Sequence, residues 1–430
     1  MNANPSQVAQ EILNVILSEG LVLDGEDQTQ LLEAIEAKIA RITKGDPGAD
    51  GAPGGDIPVP AWMPTNEQVG AGWPAFQSAL LAMQAKCAQL PKATCGKVNL
   101  ATANSSGTNL ISASLSLPEG RVYGTPHSTE YSRTFDVHSL QMGAQAPSLG
   151  AGTARSNGSV LFPDGEILAV PGNSTTCTVL DPATETGRVL SASFPGNFAY
   201  LGGALWVDGE SALLAPHGAR HARLINKRTG VATDLTAYTF TGLYACAGVR
   251  RVAATGEYLF VPHYHNKFVL LNPDTMTFRE LTYTNTVLDA YLSAVNLNDG
   301  RLYVAAHWAP CSLIVDVVND TVVNTLPPSG PGYIAPPTQA NFRSCIRLPD
   351  GRVLLIPFKH TKAWVYTPET NQHTQCPGTY AFGDVGSGAL TMDGDAILMP
   401  WNGGYTYKLS CGYGCKVDPQ IVTSPLFNGL

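Results

Sequence analysis

Charge is scarce in this chain of 430 residues, where 14% of positions are Asp, Glu, Lys or Arg against about 25% in an average soluble protein. The formal net charge is -8 and no basic stretch is present. Nothing is therefore available to release counterions from phosphates, which excludes nucleic acid as the partner. No run approaches 18 uninterrupted apolar residues, which excludes a membrane-spanning helix and hence membrane insertion. The N-terminal MNANPSQVAQEILNVILSEG has no basic region leading into an apolar core and a small-residue cleavage site, so no signal peptide is expected. Gly-x-Ser-x-Gly, phosphate-loop and His-Glu-x-x-His patterns are all missing. The nine cysteines, an odd number scattered along the chain, do not form a secreted disulfide framework and read as buried thiols of a protein made in a reducing cytoplasm. Cys411 and Cys415 flank Gly-Tyr-Gly and could pair, but the neighbouring sequence offers no further zinc ligands.

What the chain has in abundance is glycine and proline, 43 and 31 residues. Much of the glycine is periodic. One phrase recurs seven times: LSLPEGRVYGTPHS, LFPDGEILAVPGN, LWVDGESALLAPHG, RVAATGEYLFVPHY, VNLNDGRLYVAAHW, IRLPDGRVLLIPFK and LTMDGDAILMPWN. In each, an apolar run reaches a Glu-Gly, Asp-Gly or Thr-Gly turn and a second run leaves it, the pattern of a β-hairpin. The turn glycines are Gly120, Gly165, Gly209, Gly256, Gly300, Gly351 and Gly394, at intervals of 45, 44, 47, 44, 51 and 43 residues. Such spacing denotes a repeat architecture.

Most of these hairpins are followed by a second, as in CTVLDPATETGRVL, ARLINKRTGVATDL, FVLLNPDTMTFREL and SLIVDVVNDTVVNTL, with Asp-Pro, Asn-Pro-Asp or Asn-Asp marking the turn in three of the four. Four strands per repeat is one propeller blade. The pattern resembles a seven-bladed β-propeller, in which four-stranded sheets stand radially around a channel, although neither the Trp-Asp signature nor the kelch diglycine recurs. The last repeat runs out of clear strand after Leu409, so its outer strand must come from Lys97 to Thr102 or from Lys416 to Thr423. The C-terminal segment is the favoured expectation.

Ahead of the propeller, assigned to 97–430, the sequence predicts three short segments. Residues 1–44 read as helical, first with Val8, Ile12 and Val15 on one face, then as a heptad seam of Leu32, Ile35, Ile39 and Ile42. Isoleucine in both core positions favours three or four strands over two. Residues 45–56 are four Gly-X-Y triplets, with Gly45, Gly48, Gly51 and Gly54 in register. This is a collagen-like triple helix, in which only glycine fits where three chains meet. An adjacent coiled coil would align so short a segment, and both features point to a homotrimer. Residues 57–96 form a neck, with helical spacing from Pro74 to Leu90.

The second strand of the repeat often ends in Pro-His or Ala-His, placing His127, His217, His263 and His307 around one face, with His360 three residues after Pro357. Tyr264, His265, Trp308 and Trp401 lie beside them. This is the candidate ligand-binding face. Imidazoles are common metal ligands, but the second strand stands back from the axis, so convergence of rings from neighbouring blades on one ion is not expected and hydrogen bonding to loop carbonyls is the simpler use. Aromatic faces at a blade rim would suit stacking of sugar rings or packing between blades. The acidic residues Asp164, Asp208, Asp299, Asp350 and Asp393 precede turn glycines and serve the turns. No catalytic residue, metal or cofactor is assigned.

Helix, heptad, collagen-like stalk, neck and large β head, in that order, resemble bacteriophage fibres and receptor-binding proteins. The resemblance implies a virion protein that docks by its N-terminal segment on other virion proteins and meets a host surface glycan or protein with its head, without enzymatic activity. Two alternatives share these features: a capsid-decorating head fibre, and a polysaccharide-degrading propeller, lyase or hydrolase.

Overall fold

The computed structural model describes residues 97–103, 111–117, 121–127, 131–136, 141–148, 156–284, 289–328, 341–358, 362–376, 385–391, 394–401 and 405–410. The predicted coiled coil, collagen-like run and neck, and with them Leu32, Ile35, Ile39, Ile42, Gly45, Gly48, Gly51 and Gly54, lie outside these residues, as do His360, Cys411 and Cys415.

The described strands form seven four-stranded antiparallel sheets. Taken in chain order, blades one to six cover residues 111–148, 156–189, 200–235, 246–284, 291–324 and 342–375. In each, the strands are paired in sequence order, as expected for two successive hairpins sharing a strand. The first strand of every blade packs on the first strands of its neighbours, so seven inner strands close a ring. Crowding at the axis selects small residues. Gly158 has φ +118° and a Cβ there would sit 2.8 Å from the Gly202 Cα of the next blade, a position open only to glycine.

Six of the seven predicted turns are present where the sequence places them; the seventh, at Gly120, lies outside the described residues. Gly165, Gly209, Gly256, Gly300, Gly351 and Gly394 all have positive φ, between 71° and 89°. The aspartate before the glycine caps the turn, its carboxylate accepting the N–H two residues on, as for Asp164 with Glu166 (3.2 Å), Asp208 with Glu210 (2.8 Å) and Asp350 with Arg352 (3.0 Å). The outer hairpins repeat the device with Asp181, Asn226, Asn272 and Asp316.

Seven apolar clusters hold the ring together, one between each pair of adjacent blades. Blades three and four, for example, share Leu213, Ala215 and Phe240 with Tyr258, Phe260 and Leu271, and blades six and seven share Leu354 and Val365 with Leu398 and Leu409. Each blade is therefore apolar on both faces, which is why its second strands read as unbroken apolar runs such as Ile167–Pro171 and Val353–Pro357 rather than alternating ones. Cys177, Cys246, Cys345 and Cys376 are free thiols inside these layers, and burial pushes the Cys345 thiol up to about 11.

The ring closes differently from the expectation. Blade seven consists of Val385–Leu390, Ala396–Pro400 and Tyr405–Ser410, and its outer strand is Lys97–Ala103, which pairs antiparallel with Tyr405–Ser410. The N-terminal segment, not Lys416 to Thr423, completes the propeller. The chemistry of the two candidates explains the choice. Pro419 would remove a donor from the middle of the ladder, whereas 97–103 contains no proline. The seam of the ring is thus a β-ladder joining the two ends of the propeller rather than apolar contact alone.

Candidate functional site

The two ends of the propeller differ in chemistry. One end carries the hairpin turns and is laced with ion pairs. Lys227 of blade three reaches Asp164 and Glu166 of blade two, Arg279 pairs with Glu257 at 2.8 Å, and Arg301 with Asp299 at 2.6 Å. These charges are mutually satisfied and serve the turns. At the opposite end the first strands begin and the second strands finish, and there the surface is built of rings.

Six of the seven second strands end in proline, and the residue that follows occupies the same place in every blade: His127, Gly172, His217, His263, His307, Phe358 and Trp401. Proline stops the ladder because it offers no N–H. The chain then turns toward the following blade. The carbonyls of Gly172, His217, His263 and His307 accept N–H groups from Ala199, Ala245, Ala290 and Asn341 of the next blade, at 3.3, 2.8, 3.3 and 2.8 Å. This stitch carries the side chains toward one another. The His217 and His263 rings lie 5.3 Å apart between centroids, His307 and Phe358 5.5 Å, and Trp401 and His127 4.5 Å. Rings of neighbouring blades thus meet in pairs, because the loop after the second strand, not the strand, sets their position. Among the described residues no three His, Cys, Asp or Glu side chains are grouped to hold a metal ion.

A second set of residues enters the rim from the segment before each inner strand. Phe198, Tyr244 and Asp289 are equivalent positions, each followed by alanine, and each has a left-handed backbone, φ 53°, 63° and 54°. This conformation is unfavourable for bulky residues. It is stabilised by the loop after the second strand of the same blade, since the N–H groups of Gly218, Tyr264 and Trp308 bond to the carbonyls of Phe198 (2.8 Å), Tyr244 (3.1 Å) and Asp289 (3.2 Å). The strained turn directs these side chains onto the rim, where Tyr244 packs on His217 at 4.7 Å and on Tyr264 at 5.9 Å. Arg343 adds a cation, its guanidinium 3.6 Å from the Trp401 ring centroid and 5.3 Å from that of Phe358. Phe198, Tyr244, Tyr264, Trp308, Phe358 and Trp401 are all partly exposed.

The histidines of the rim have two different uses. His217 and His307 donate through Nδ1 to the first carbonyls of the next inner strands, Cys246 (2.8 Å) and Phe342 (2.9 Å). They staple blade three to four and five to six. Burial holds both imidazoles down to about 4, against the smaller opposing effects of those carbonyls and of Asp289. His127 is likewise lowered to about 4, by burial and then by the charge of Arg343, with a bond to Asn157 of blade two acting the other way. His263 departs from the pattern. Its Nδ1 faces the Tyr244 carbonyl of its own blade at 3.2 Å, and its Nε2 faces the Asp289 carboxylate of the next.

Of the residues singled out by sequence, His127, His217, His263, Tyr264, His307, Trp308 and Trp401 come together on this rim. His265 does not. It turns outward beneath the rim, bonded to the Thr241 carbonyl at 3.2 Å and to the Tyr238 hydroxyl at 3.1 Å, and packs against Phe240. Sequence reasoning missed Phe198, Tyr244, Asp289, Arg343 and Phe358. The recurring bulky residue before alanine, in Phe198-Ala199, Tyr244-Ala245 and Asp289-Ala290, was the available signal for three of them, and alignment on the strand-ending proline for Phe358.

No family model matches the sequence, and no curated protein matches it. Among solved structures the chain is similar to streptogramin B lyase (TM-score 0.59, 11% identity, covering 73% of this chain and 98% of the other) and to virginiamycin B lyase from Staphylococcus aureus (0.59, 11%, 73% and 99%). It is also similar to the WD40 β-propeller domain of Doa1 (0.53, 12%, 72% and 96%). At such identities the likeness is one of architecture, which does not carry function with it. Repeat, sheet order and structural likeness agree that the chain contains a seven-bladed β-propeller.

Proposed function

We propose that this protein is a virion appendage, a bacteriophage fibre or receptor-binding protein, that presents the ring-lined end of its propeller to a host surface glycan. The observation that carries the reading is the rim itself: partly exposed aromatic rings from blades three to seven, fixed by backbone stitches, at the end of the head that is not occupied by ion-paired turns. Flat apolar faces set among polar groups suit the C–H faces and hydroxyls of sugars. The heptad and Gly-X-Y segments support display of several heads on one stalk. Weak single sites then gain avidity when they engage together.

Adsorption tests this reading. Purified protein incubated with host cells or their surface polysaccharide is expected to bind without shortening the polymer, and Trp401→Ala is expected to weaken binding while leaving the melting temperature within a few degrees. Adsorption unaffected by any rim substitution sinks the proposal.

A polysaccharide-degrading propeller is the second reading. It is favoured by the His263–Asp289 pair beside Tyr264, an arrangement able to move a proton. New reducing ends or unsaturated products in the same incubation would establish it over simple binding.

A further inference from the structure

We propose that the junction of blades one and two, just beneath the rim, is an internal hydration site at which Thr125 and Ser159 bind ordered water. The place is marked on the rim itself, where the series of rings breaks at Gly172. One residue inward from His127 and Gly172, the pairs Pro126–Ile111 and Pro171–Ser156 begin the ladders of these two blades. Both ladders are irregular at this end, the register shifting between Ile111 and Ala113 and between Ser156 and Ser159. A bulge sets a residue outside the ladder and bends the strand. Here the residues so displaced are Ser112 in blade one and Asn157 and Gly158 in blade two, and Asn157 crosses the junction to bond His127. The apolar layer between the blades thus ends in a polar patch.

Two hydroxyls of that patch are unmet. Thr125 stands opposite Ala113 and two residues from Tyr123, hence on the same face of its strand, and Ser159 stands opposite Ala169. Tyr123 and Ala169 belong to the apolar cluster between blades one and two, so Thr125 and Ser159 enter the junction from its two walls. They are 0% and 2% exposed, and neither hydroxyl has a hydrogen-bond partner among the described residues. The hydroxyls that do bond here bond at length. Ser112 and Ser156 share a bond of 3.2 Å, Ser112 donates to the Thr125 carbonyl at 3.2 Å, and Ser156 to the Gly158 carbonyl at 3.3 Å, against about 2.7 to 2.8 Å for an ordinary O–H···O bond. At the junction of blades seven and one, Ser114 and Ser387 pair at 2.6 Å instead. An unmet buried hydroxyl is costly, and the surrounding apolar side chains cannot satisfy it. Water can, because it is small and both donates and accepts, and a polar site with several partners is where buried water is held.

Crystallography of the full chain, at a resolution that shows ordered water, and thermal melting of three variants test the proposal. The expected structure has water within hydrogen-bond distance of both Thr125 Oγ1 and Ser159 Oγ. Thr125→Val and Ser159→Ala should each lower the melting temperature by roughly 1 to 3 °C, because each takes a partner from the bound water. The double variant should lose less than the two singles together, since the water departs once both hydroxyls are gone. A site without water in the structure overturns the proposal. So do single substitutions that raise the melting temperature and add in the double variant, the result of deleting two hydroxyls that no water serves.

Discussion

His263 and Asp289 meet across the junction of blades four and five, imidazole Nε2 to carboxylate, where the equivalent histidines of blades three and five instead bond backbone carbonyls of the next blade. The repeat has thereby exchanged a ring-to-carbonyl bond for a side-chain pair at one junction. Asp289 takes the place that Phe198 and Tyr244 hold in the preceding blades, so one difference in the repeat replaces an aromatic ring of the rim by a carboxylate. Its carboxylate also acts on His307 and His217, opposing the burial that keeps them neutral.

Acid should destabilise the head before its carboxylates titrate. His127, His217, His307 and His373 are all held down to about 4, in each case chiefly by burial, whereas an unfolded histidine titrates near 6.5. Between those values the unfolded chain binds protons that the folded one refuses. Stability is therefore complete above about pH 6.5 and falls as pH drops toward 4, by an amount on the order of several kcal/mol for the four together. Melting temperatures recorded from pH 7 to 4.5 should show the decline, and His307→Asn should flatten it. A level profile over that range would show that these rings are not held neutral.

Two glycines of blade two separate conformational strain from axial crowding. Gly165→Ala meets nothing within 4 Å and bears only its positive φ of 89°, for an expected cost of about 1 kcal/mol. Gly158→Ala adds a contact of 2.8 Å with the Gly202 backbone, for about 2 to 4 kcal/mol in all. Denaturant titration of both variants checks the order. Equal costs would mean that the inner strands can move apart.

Removing residues 1–96 should leave a head that still closes, because the outer strand of blade seven begins at Lys97. Removing residues 1–103 takes away the partner of Tyr405–Ser410 and exposes a strand edge prone to pairing with other chains. The longer deletion is expected to melt at clearly lower temperature and to associate on size-exclusion chromatography. Indistinguishable behaviour of the two would assign closure to another segment.

Oligomeric state tests the stalk. The intact chain should have three times the mass of its 45.4 kDa protomer, and the chain lacking residues 1–56 should lose this association, because the heptad and Gly-X-Y positions lie there. Light scattering of the two forms decides it, and a monomeric intact chain removes the collagen-like reading.

Trp364 offers a measure of how far the ring depends on any one junction. It is fully buried in the layer between blades five and six with Tyr303, Phe342 and Tyr366. Trp364→Ala should cost about 3 to 5 kcal/mol, and chemical denaturation should show whether the ring then unfolds in one step.

What the sequence by itself determined is the repeat. Turn glycines such as Gly256 and Gly300, the aspartates before them and the apolar second strands encode hairpins through preferences that act within a few residues, and seven copies of a hairpin pair leave little choice of architecture. The positions of His217, His263 and His307 at one end followed from the same register. Only the tertiary structure decided that Lys97–Ala103 closes the ring, that His265 turns away while His217 and His263 become neighbours, and that Asp289 meets His263. Each of these depends on what one blade presents to the next, or one end of the chain to the other. Local preference is silent about such contacts, because their geometry is set by how blades tilt and pack once all seven are in place.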